Sequence, residues 1–197
     1  MQSLSSVMTL GLNKIMALYD PSAVFILGAY FKLQTFLIMP VAGLTNGLTP
    51  LVAYNYGARK RERILALSRF ALALGAAIMA AGAALLLLIP GPLLGLFGAE
   101  QAVLDSGIPA LRWIAVGLIF SGLSTVLCAV FQALGAAMTS LAISLLRQVV
   151  LILPAAYLLG LVQPGLMWLS FPLAEILACL AALVLFRQIQ RKPLSAL

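Results

Sequence analysis

Ionisable side chains inside long apolar segments are the residues of this chain whose types and positions most strongly suggest chemistry. Lys32, Arg147 and Glu175 each lie well inside such a segment. A charge at the centre of a bilayer costs ~2.5–3.5 kcal/mol on insertion scales, so a charged residue there usually pairs, lines a cavity or carries an ion. These three residues are therefore the first candidates for a functional site.

Arg147 and Glu175 are candidates for an intramembrane ion pair or for ion coupling. They lie near the middle of two neighbouring apolar segments that a short turn joins. If they meet, each charge reduces the cost of burying the other, and the pair fixes one helix against the next. In the alternative, Arg147 reaches water or backbone carbonyls, and Glu175 faces a cavity and carries a coupling proton. Unrelated local roles are the third possibility.

Lys32, Gln34 and Asn46 share one apolar segment and are candidates for lining a substrate cavity. Lys32 has two further possibilities, because its long side chain can reach the membrane interface or pair with Asp20. Asn46 can equally hydrogen-bond to a neighbouring helix. The sequence predicts polar residues along this helix and leaves their individual roles open.

Catalytic and metal chemistry have no support in the sequence. The chain has no histidine, and its two cysteines, Cys128 and Cys179, lie in separate apolar runs. No nucleophile–base constellation is visible, and no glycine-rich phosphate loop precedes a helix. We predict that the chain is not an enzyme, that it has no metal site and no cofactor, and that both thiols are buried and inert.

The composition points to the bilayer as the solvent of this protein. Of its 197 residues 63% are hydrophobic and only 9% are charged, whereas soluble domains have roughly 45–50% and 25%. Lipid cannot satisfy free backbone groups, and the apolar runs are longer than the strands of a membrane barrel. The predicted fold class is all-α, a polytopic transmembrane helical bundle in the cell membrane.

Six apolar segments, A to F, form the predicted spans of one lobe at residues 1–187, and a cytoplasmic tail follows at 188–197. Spans B to F supply the ~20 residues that a crossing needs. Span A is shorter, so we expect a helix whose beginning lies outside this sequence. We also expect a bend at Pro40 and a short interfacial helix between spans C and D. The predicted spans are 4–18, 24–53, 65–89, 108–134, 138–161 and 165–186.

Basic residues predict the orientation of the bundle. One cluster follows span B and a second follows span F. Four spans separate them, so both lie on the same side, and the positive-inside rule makes that side cytoplasmic. Both termini are therefore predicted to be cytoplasmic. The net charge of +7 has this topological cause, and no nucleic-acid partner is expected. The first cluster, the topogenic loop, consists of Arg59, Lys60, Arg61 and Arg63.

Small residues recur at four-residue spacing along span C. Such a row lets two helix backbones approach closely, which drives helix association in membranes. We predict close packing within one subunit, with a subunit interface as the alternative. The row consists of Ala71, Gly75, Ala76, Ala80 and Ala84.

Several short motifs together resemble a known family of transporters. The first of them occur in spans A and B and at the beginning of the loop that follows. Other motifs lie at residues 131–135 and 145–148, and Pro154 follows them. Their order and spacing resemble the start and later spans of the second half of a multidrug and toxic compound extrusion (MATE) transporter. The first motifs are Leu12-Asn13-Lys14, Gly28-Ala29-Tyr30-Phe31-Lys32-Leu33-Gln34, Met39-Pro40-Val41-Ala42-Gly43-Leu44-Thr45-Asn46-Gly47-Leu48 and Asn55-Tyr56-Gly57-Ala58-Arg59.

The resemblance implies cation-coupled efflux of amphipathic, often cationic, small molecules. A full-length member has two six-helix lobes with the substrate cleft between them, and this chain would supply the C-terminal lobe. Membrane lipid and the N-terminal lobe are then the implied partners, with a second copy of the chain as a less favoured substitute. Na⁺ or H⁺ is the implied coupling cation.

The chain departs from the family at the coupling site. Some members use acidic residues on their seventh and tenth helices, which correspond to spans A and D. Here those spans have no carboxylate in their interior, because Asp20 and Asp105 lie at the mouths. No residue can therefore be assigned to that site by resemblance. Two other functions stay open: a non-transporting membrane scaffold or truncated pseudo-transporter, and a lipid or oligosaccharide flippase of the same superfamily.

Overall fold

The computed structural model describes residues 2–191, with side chains for residues 4–190. All regular secondary structure in this range is helical, as predicted. The helices are α1 (Gln2–Tyr19), α2 (Pro21–Gly57), α3 (Arg61–Leu88), α4 (Pro90–Gly95), α5 (Gln101–Ala133), α6 (Ala137–Leu145), α7 (Ile152–Val162) and α8 (Ser170–Arg191). A π-helical segment, Leu146–Leu151, joins α6 to α7, and a 3-10 turn, Pro164–Leu169, precedes α8.

Five continuous helical segments are long and apolar enough to cross a membrane: Pro21–Gly57, Arg61–Leu88, Gln101–Ala133, Ala137–Val162 and Pro164–Gln190. They correspond to the predicted spans B to F. Span A is the helix α1, which is not among these five, since serine, threonine, asparagine and lysine interrupt its apolar sequence. The predicted short helix between C and D is α4. Of the predicted tail, residues 192–197 lie outside the described part of the chain, and α8 continues to Arg191.

The helix ends follow from local chemistry. Asp20 caps α2, because its carboxylate accepts hydrogen bonds from the Ser22 backbone N–H (2.9 Å) and hydroxyl (2.7 Å), and Pro21 begins the helix. Gly135 ends α5 with a φ of 79°, and the next N–H donates to the Phe131 carbonyl at 2.8 Å. A residue without a Cβ adopts this left-handed conformation without steric cost. These two ends separate consecutive helices, α1 from α2 and α5 from α6.

Helix α5 forms the centre of the bundle. It packs against α2, α3 and α8, and it is the most deeply buried of the five membrane-length segments. Two apolar clusters surround it. One involves α3, α8 and the second half of α2, and the other involves α1, α7, the 3-10 turn and the first half of α2. Between these clusters, α1, α2, α5 and the π-helical segment leave space for cavities with polar walls.

The small residues of span C pack within the chain only in part. Ala71 and Gly75 are buried, and a Cβ added to Gly75 would lie 3.0 Å from the Val126 side chain on α5. Ala76 and Ala80 are only partly buried, and Ala84 is exposed. The buried face of α3 instead continues through Met79, Gly82, Ala83 and Leu86. The buried face advances by three as well as by four residues, so the row leaves it after Gly75, and the subunit interface that was the alternative for this row stays a prediction.

Candidate functional site

Arg147 and Glu175 contact each other inside the bundle. The Arg147 Nη1 atom lies 3.2 Å from Glu175 Oε2 and 3.5 Å from Oε1. The two side chains are only 19% and 16% exposed. This is the one salt bridge among the side chains of residues 4–190. The two charges therefore meet as the first of the sequence hypotheses requires, whereas whether their role is structural or functional stays a prediction.

Two serines of α5 complete the surroundings of Arg147. The same Nη1 atom donates to Ser121 Oγ at 3.3 Å and to Ser124 Oγ at 3.5 Å. Both serines are 1% exposed. The sequence analysis did not identify them, although they lie three residues apart on one face of a helix that is otherwise strongly apolar. Buried hydroxyls at helical spacing were the signal that could have found them.

The π-helical segment places two consecutive polar residues at the same cavity. Arg147 and Gln148 both lie in it, and both line the same two partly open cavities. In a regular α-helix, consecutive side chains point about 100° apart. A π-bulge widens the turn locally, and such bulges are frequent at functional sites. Gln148 is held by Ser5, whose hydroxyl donates to Gln148 Oε1 at 3.1 Å.

The smaller cavity, of about 170 Å³, lies beside Glu175. Arg147, Gln34 and Gln148 line it together with Phe31 and Phe171. The ring of Phe171 is fixed by an edge-to-face contact with Tyr30 and by stacking on Trp168, at centroid distances of 5.3 and 6.1 Å. The cavity thus combines a charge pair with a rigid aromatic wall.

The larger cavity, of about 340 Å³, adjoins the smaller one, since Ser5, Ile38, Arg147 and Gln148 line both. Arg147 is the only charged residue among its described lining residues. Hydroxyl and amide groups form most of the remaining wall. They include Thr45, Asn46 and Thr49 from α2, and Thr125, Gln132 and Ser144 from α5 and α6.

The predicted cavity residues of α2 divide between the two polar cavities and a separate hollow, and Asn46 is exposed like Lys32. Gln34 lines the smaller cavity, and Asn46 lines the larger one. Lys32 is exposed and borders a separate shallow hollow beside Phe25 and Phe97. It makes no salt bridge with Asp20 among the side chains described, and the Asp20 carboxylate is engaged in capping α2. Lys32 therefore lies apart from the two polar cavities.

The topogenic loop lies at the junction of α2 and α3. Arg59, Lys60, Arg61 and Arg63 are all exposed. Arg61 Nη2 donates to the Gln190 backbone carbonyl at 3.4 Å, which places the loop beside the end of α8. Of the second basic cluster, the side chain of Arg187 is described, and this residue lies on α8 three residues before Gln190.

The comparison with protein families matches residues 1–158 to the family model described as MatE. The chain belongs to the MatE family. This confirms the resemblance that the sequence motifs indicated. The family consists of transporters and not of enzymes, and with five helices of membrane-crossing length the chain is an integral membrane protein.

Curated relatives are export proteins about two and a half times as long as the matched region. The chain is 27% identical over 176 residues to the multidrug export protein MepA of Staphylococcus aureus (strain bovine RF122 / ET3-1), and the match covers 88% of this chain and 38% of the exporter. It is 26% identical over 186 residues to MepA of Staphylococcus saprophyticus, covering 94% and 41%. The chain thus spans about two fifths of the length of these relatives.

Solved structures have the same fold over the same fraction of their length. An outward-facing multidrug resistance MATE transporter superposes with a TM-score of 0.90 at 21% identity, covering 99% of this chain and 44% of that one. The MATE multidrug transporter DinF-BH superposes with a TM-score of 0.81 at 26% identity, covering 96% and 43%. The described helices therefore correspond to one half of a MATE transporter fold.

Proposed function

We propose that this chain forms the C-terminal, six-span half of a cation-coupled multidrug efflux antiporter that works by alternating access. The observation that carries this proposal is its half-length similarity to multidrug exporters in both sequence and fold. A half of such a transporter supplies one wall of the substrate cleft. The second wall would come from an N-terminal lobe or, less favourably, from a second copy of the chain.

The polar cavities are the part of this half that suits a transported compound. Gln34 and Asn46 present amide groups from α2, and Phe31 and Phe171 present aromatic surface. Amphipathic compounds need both kinds of contact, since apolar walls contribute affinity and a few polar groups orient the ligand. Amphipathic or cationic small molecules are therefore the proposed substrate class.

Coupling to Na⁺ or H⁺ is proposed from the family, and Glu175 is the residue best placed to take part. It is the only carboxylate among the described residues that line the two polar cavities. Its contact with Arg147 means that uptake of a proton or cation would compete with the guanidinium. A coupling step at Glu175 would therefore also release Arg147.

Resistance assays test the proposed function. We expect the chain alone, expressed in an efflux-deficient bacterial strain, to give no drug resistance above the empty vector, because one cleft wall is absent. Joined to the N-terminal half of S. aureus MepA, it should reduce the accumulation of a cationic rhodamine dye and raise the inhibitory concentration of that dye. The MepA half alone is the matched control.

One outcome of that assay would contradict the proposal, and another would decide which partner supplies the second wall. A fusion that is stable and inserted in the membrane but inactive, while full-length MepA is active, would argue against a transport function. Clear resistance from the chain alone, purified as a stable dimer, would show that a second copy supplies the missing wall.

Both termini are proposed to lie in the cytoplasm, and cysteine labelling tests this orientation. In a background with Cys128→Ala and Cys179→Ala, we expect Lys60→Cys to be protected in intact cells from a membrane-impermeant maleimide. Glu100→Cys should be labelled, because it lies on the opposite side of the bundle in this topology. Both positions are exposed, so labelling after cell lysis controls for reactivity. Labelling of Lys60→Cys in intact cells would reverse the orientation.

A further inference from the structure

The guanidinium of Arg147 uses only one of its three nitrogens inside the protein. All its hydrogen bonds, to Ser121, Ser124 and Glu175, come from Nη1. Nε and Nη2 donate to no group among residues 4–190. No buried side-chain nitrogen or oxygen in this part of the chain lacks a partner, so these two atoms are open to the cavities that Arg147 lines. Glu175 therefore holds the guanidinium in place and leaves part of it available for a ligand.

Gln148 supplies a second donor at the same place. Its Oε1 accepts from Ser5 at 3.1 Å, which directs its NH₂ group elsewhere. That NH₂ group donates no hydrogen bond within residues 4–190, and Gln148 lines both cavities. The π-helical segment thus presents an open guanidinium edge and an open amide donor from consecutive residues.

The larger cavity is lined by Arg147, whereas its counter-ion Glu175 lines only the neighbouring cavity. Glu175 does not line this cavity, and Arg147 is the only charged residue among its described walls. Hydroxyls and amides surround the guanidinium there, while Ile38 and Ala129 provide apolar surface. A guanidinium edge binds carboxylates with particular strength, because two parallel N–H groups match two oxygens.

We propose that the larger cavity binds the carboxylate of an amphipathic small molecule, with Arg147 and Gln148 as the recognising residues. The proposal deepens the proposed function, since it rests on that function for the ligand being a transported compound. It adds an acidic substrate class to the amphipathic and cationic compounds that the family implies. Glu175 acts here as a positioning residue that orients Arg147.

Equilibrium binding of three dansyl probes to the purified 197-residue chain in detergent tests the proposal without any transport step. Dansylglycine carries a carboxylate, dansylamide is neutral and dansylcadaverine is cationic. We expect dansylglycine to bind about tenfold more tightly than dansylamide, which is the size of effect that one charge-assisted hydrogen bond produces. Equal affinities for the two probes, or a preference for dansylcadaverine, would overturn the proposal.

Substitutions chosen to retain the fold test which residues bind dansylglycine. The double change Arg147→Gln with Glu175→Gln removes both charges together and should abolish the preference for dansylglycine. Gln148→Ala should weaken dansylglycine binding several-fold and leave dansylamide binding unchanged. Arg112→Gln, at an exposed position of α5 away from both cavities, is the matched control and should bind as the unmodified chain. A preference that survives in the double variant would contradict the assignment.

Glu175→Gln provides a test in which the affinity for dansylglycine is expected to rise and not to fall. Without the carboxylate, Arg147 loses its internal counter-ion, so dansylglycine should bind more tightly than to the unmodified chain. Weaker binding to a folded Glu175→Gln variant would show that the pair does not act as proposed. Failure of the resistance assay with intact dansylglycine binding would instead reject the transport function and keep the site.

An anionic lipid headgroup presents the same oxyanion chemistry, and competition separates the two sources. Displacement of dansylglycine by a soluble aromatic carboxylate, and not by phosphatidylglycerol, is the result expected for a small-molecule site. Displacement by phosphatidylglycerol, and not by phosphatidylcholine, would overturn the small-molecule assignment and show that the cavity binds an anionic lipid.

Discussion

Reversing either charge of the Arg147–Glu175 pair is expected to prevent stable folding, whereas reversing both should restore it. Arg147→Glu places two carboxylates at the positions that are now 3.2 Å apart, and Glu175→Arg places two guanidinium groups there. Breaking a buried pair costs about 3–5 kcal/mol, because an uncompensated charge stays buried. The double variant regains opposite charges at the same two positions. The neighbouring Ser121 can serve either arrangement, since a hydroxyl both donates and accepts.

The measurements are the yield of monodisperse protein and its thermal unfolding in detergent. Arg112→Glu is the control for charge reversal on the surface of the same bundle, because Arg112 is exposed. It should change the unfolding temperature little. Recovery in the double variant would establish the pair as a structural contact between the last two spans.

Two results would remove the pair as a determinant of folding. If both single variants fold as well as the unmodified chain, the contact contributes nothing measurable to stability. If the double variant is as unstable as the single variants, the damage comes from the substitutions themselves and not from lost pairing. Normal folding of Glu175→Arg with loss of transport in the MepA fusion would favour the coupling role of Glu175.

The second large effect is expected at Gly117, where the backbones of α5 and α8 approach closely. A Cβ built on Gly117 would lie 2.9 Å from Pro172 Cα and 3.3 Å from its backbone nitrogen. Backbone atoms cannot rotate away as a side chain can, so Gly117→Ala must separate the two helices. Overpacking of this kind costs about 1–3 kcal/mol. It opposes the gain of up to about 1 kcal/mol that alanine brings as a better helix former.

A glycine on an open helix face provides the matched control. A Cβ on Gly43 of α2 would meet nothing within 4 Å, so Gly43→Ala should be neutral or slightly stabilising. Thermal unfolding should therefore move to lower temperature for Gly117→Ala and stay unchanged or rise for Gly43→Ala. Equal stability of Gly117→Ala and the unmodified chain would mean that α5 and α8 can separate without loss.

Separation of α5 and α8 would also change the surroundings of Arg147 in the candidate functional site. Ser121 and Ser124 lie on α5 and Glu175 lies on α8, and both helices contribute to the surroundings of Arg147. Gly117 is one turn of α5 before Ser121, and Pro172 is three residues before Glu175. The close approach at Gly117 therefore helps to bring the two ends of the Arg147 network together.

Much of the architecture was predictable from the sequence because the bilayer imposes a strict rule. Every backbone polar group in lipid must be satisfied within its own helix, so long apolar runs indicate helices almost regardless of tertiary context. The predicted spans B to F each match a membrane-length segment, with boundaries displaced by up to seven residues. The family was also recognisable from the order of its short motifs, and the family model matches residues 1–158.

The sequence also predicted which charges could meet, but not what surrounds them. Arg147 and Glu175 were identified because a charge inside an apolar run is rare and costly. Two hydroxyls three residues apart indicate one helix face, but only the packing of α5 against its neighbours shows that Ser121 and Ser124 meet Arg147.

Only the tertiary structure decided which polar residues share a cavity. Gln34 and Lys32 are two residues apart, yet one lines the interior and the other lies on the outer surface. Arg147 and Gln148 are consecutive and line the same two cavities, on a segment whose π-helical geometry the sequence did not predict. The direction of a side chain depends on the rotation of its helix in the bundle and on local changes in helical pitch. Many small packing contacts together determine the rotation and the pitch of each helix. The sequence pattern of a single helix predicts neither of these two properties.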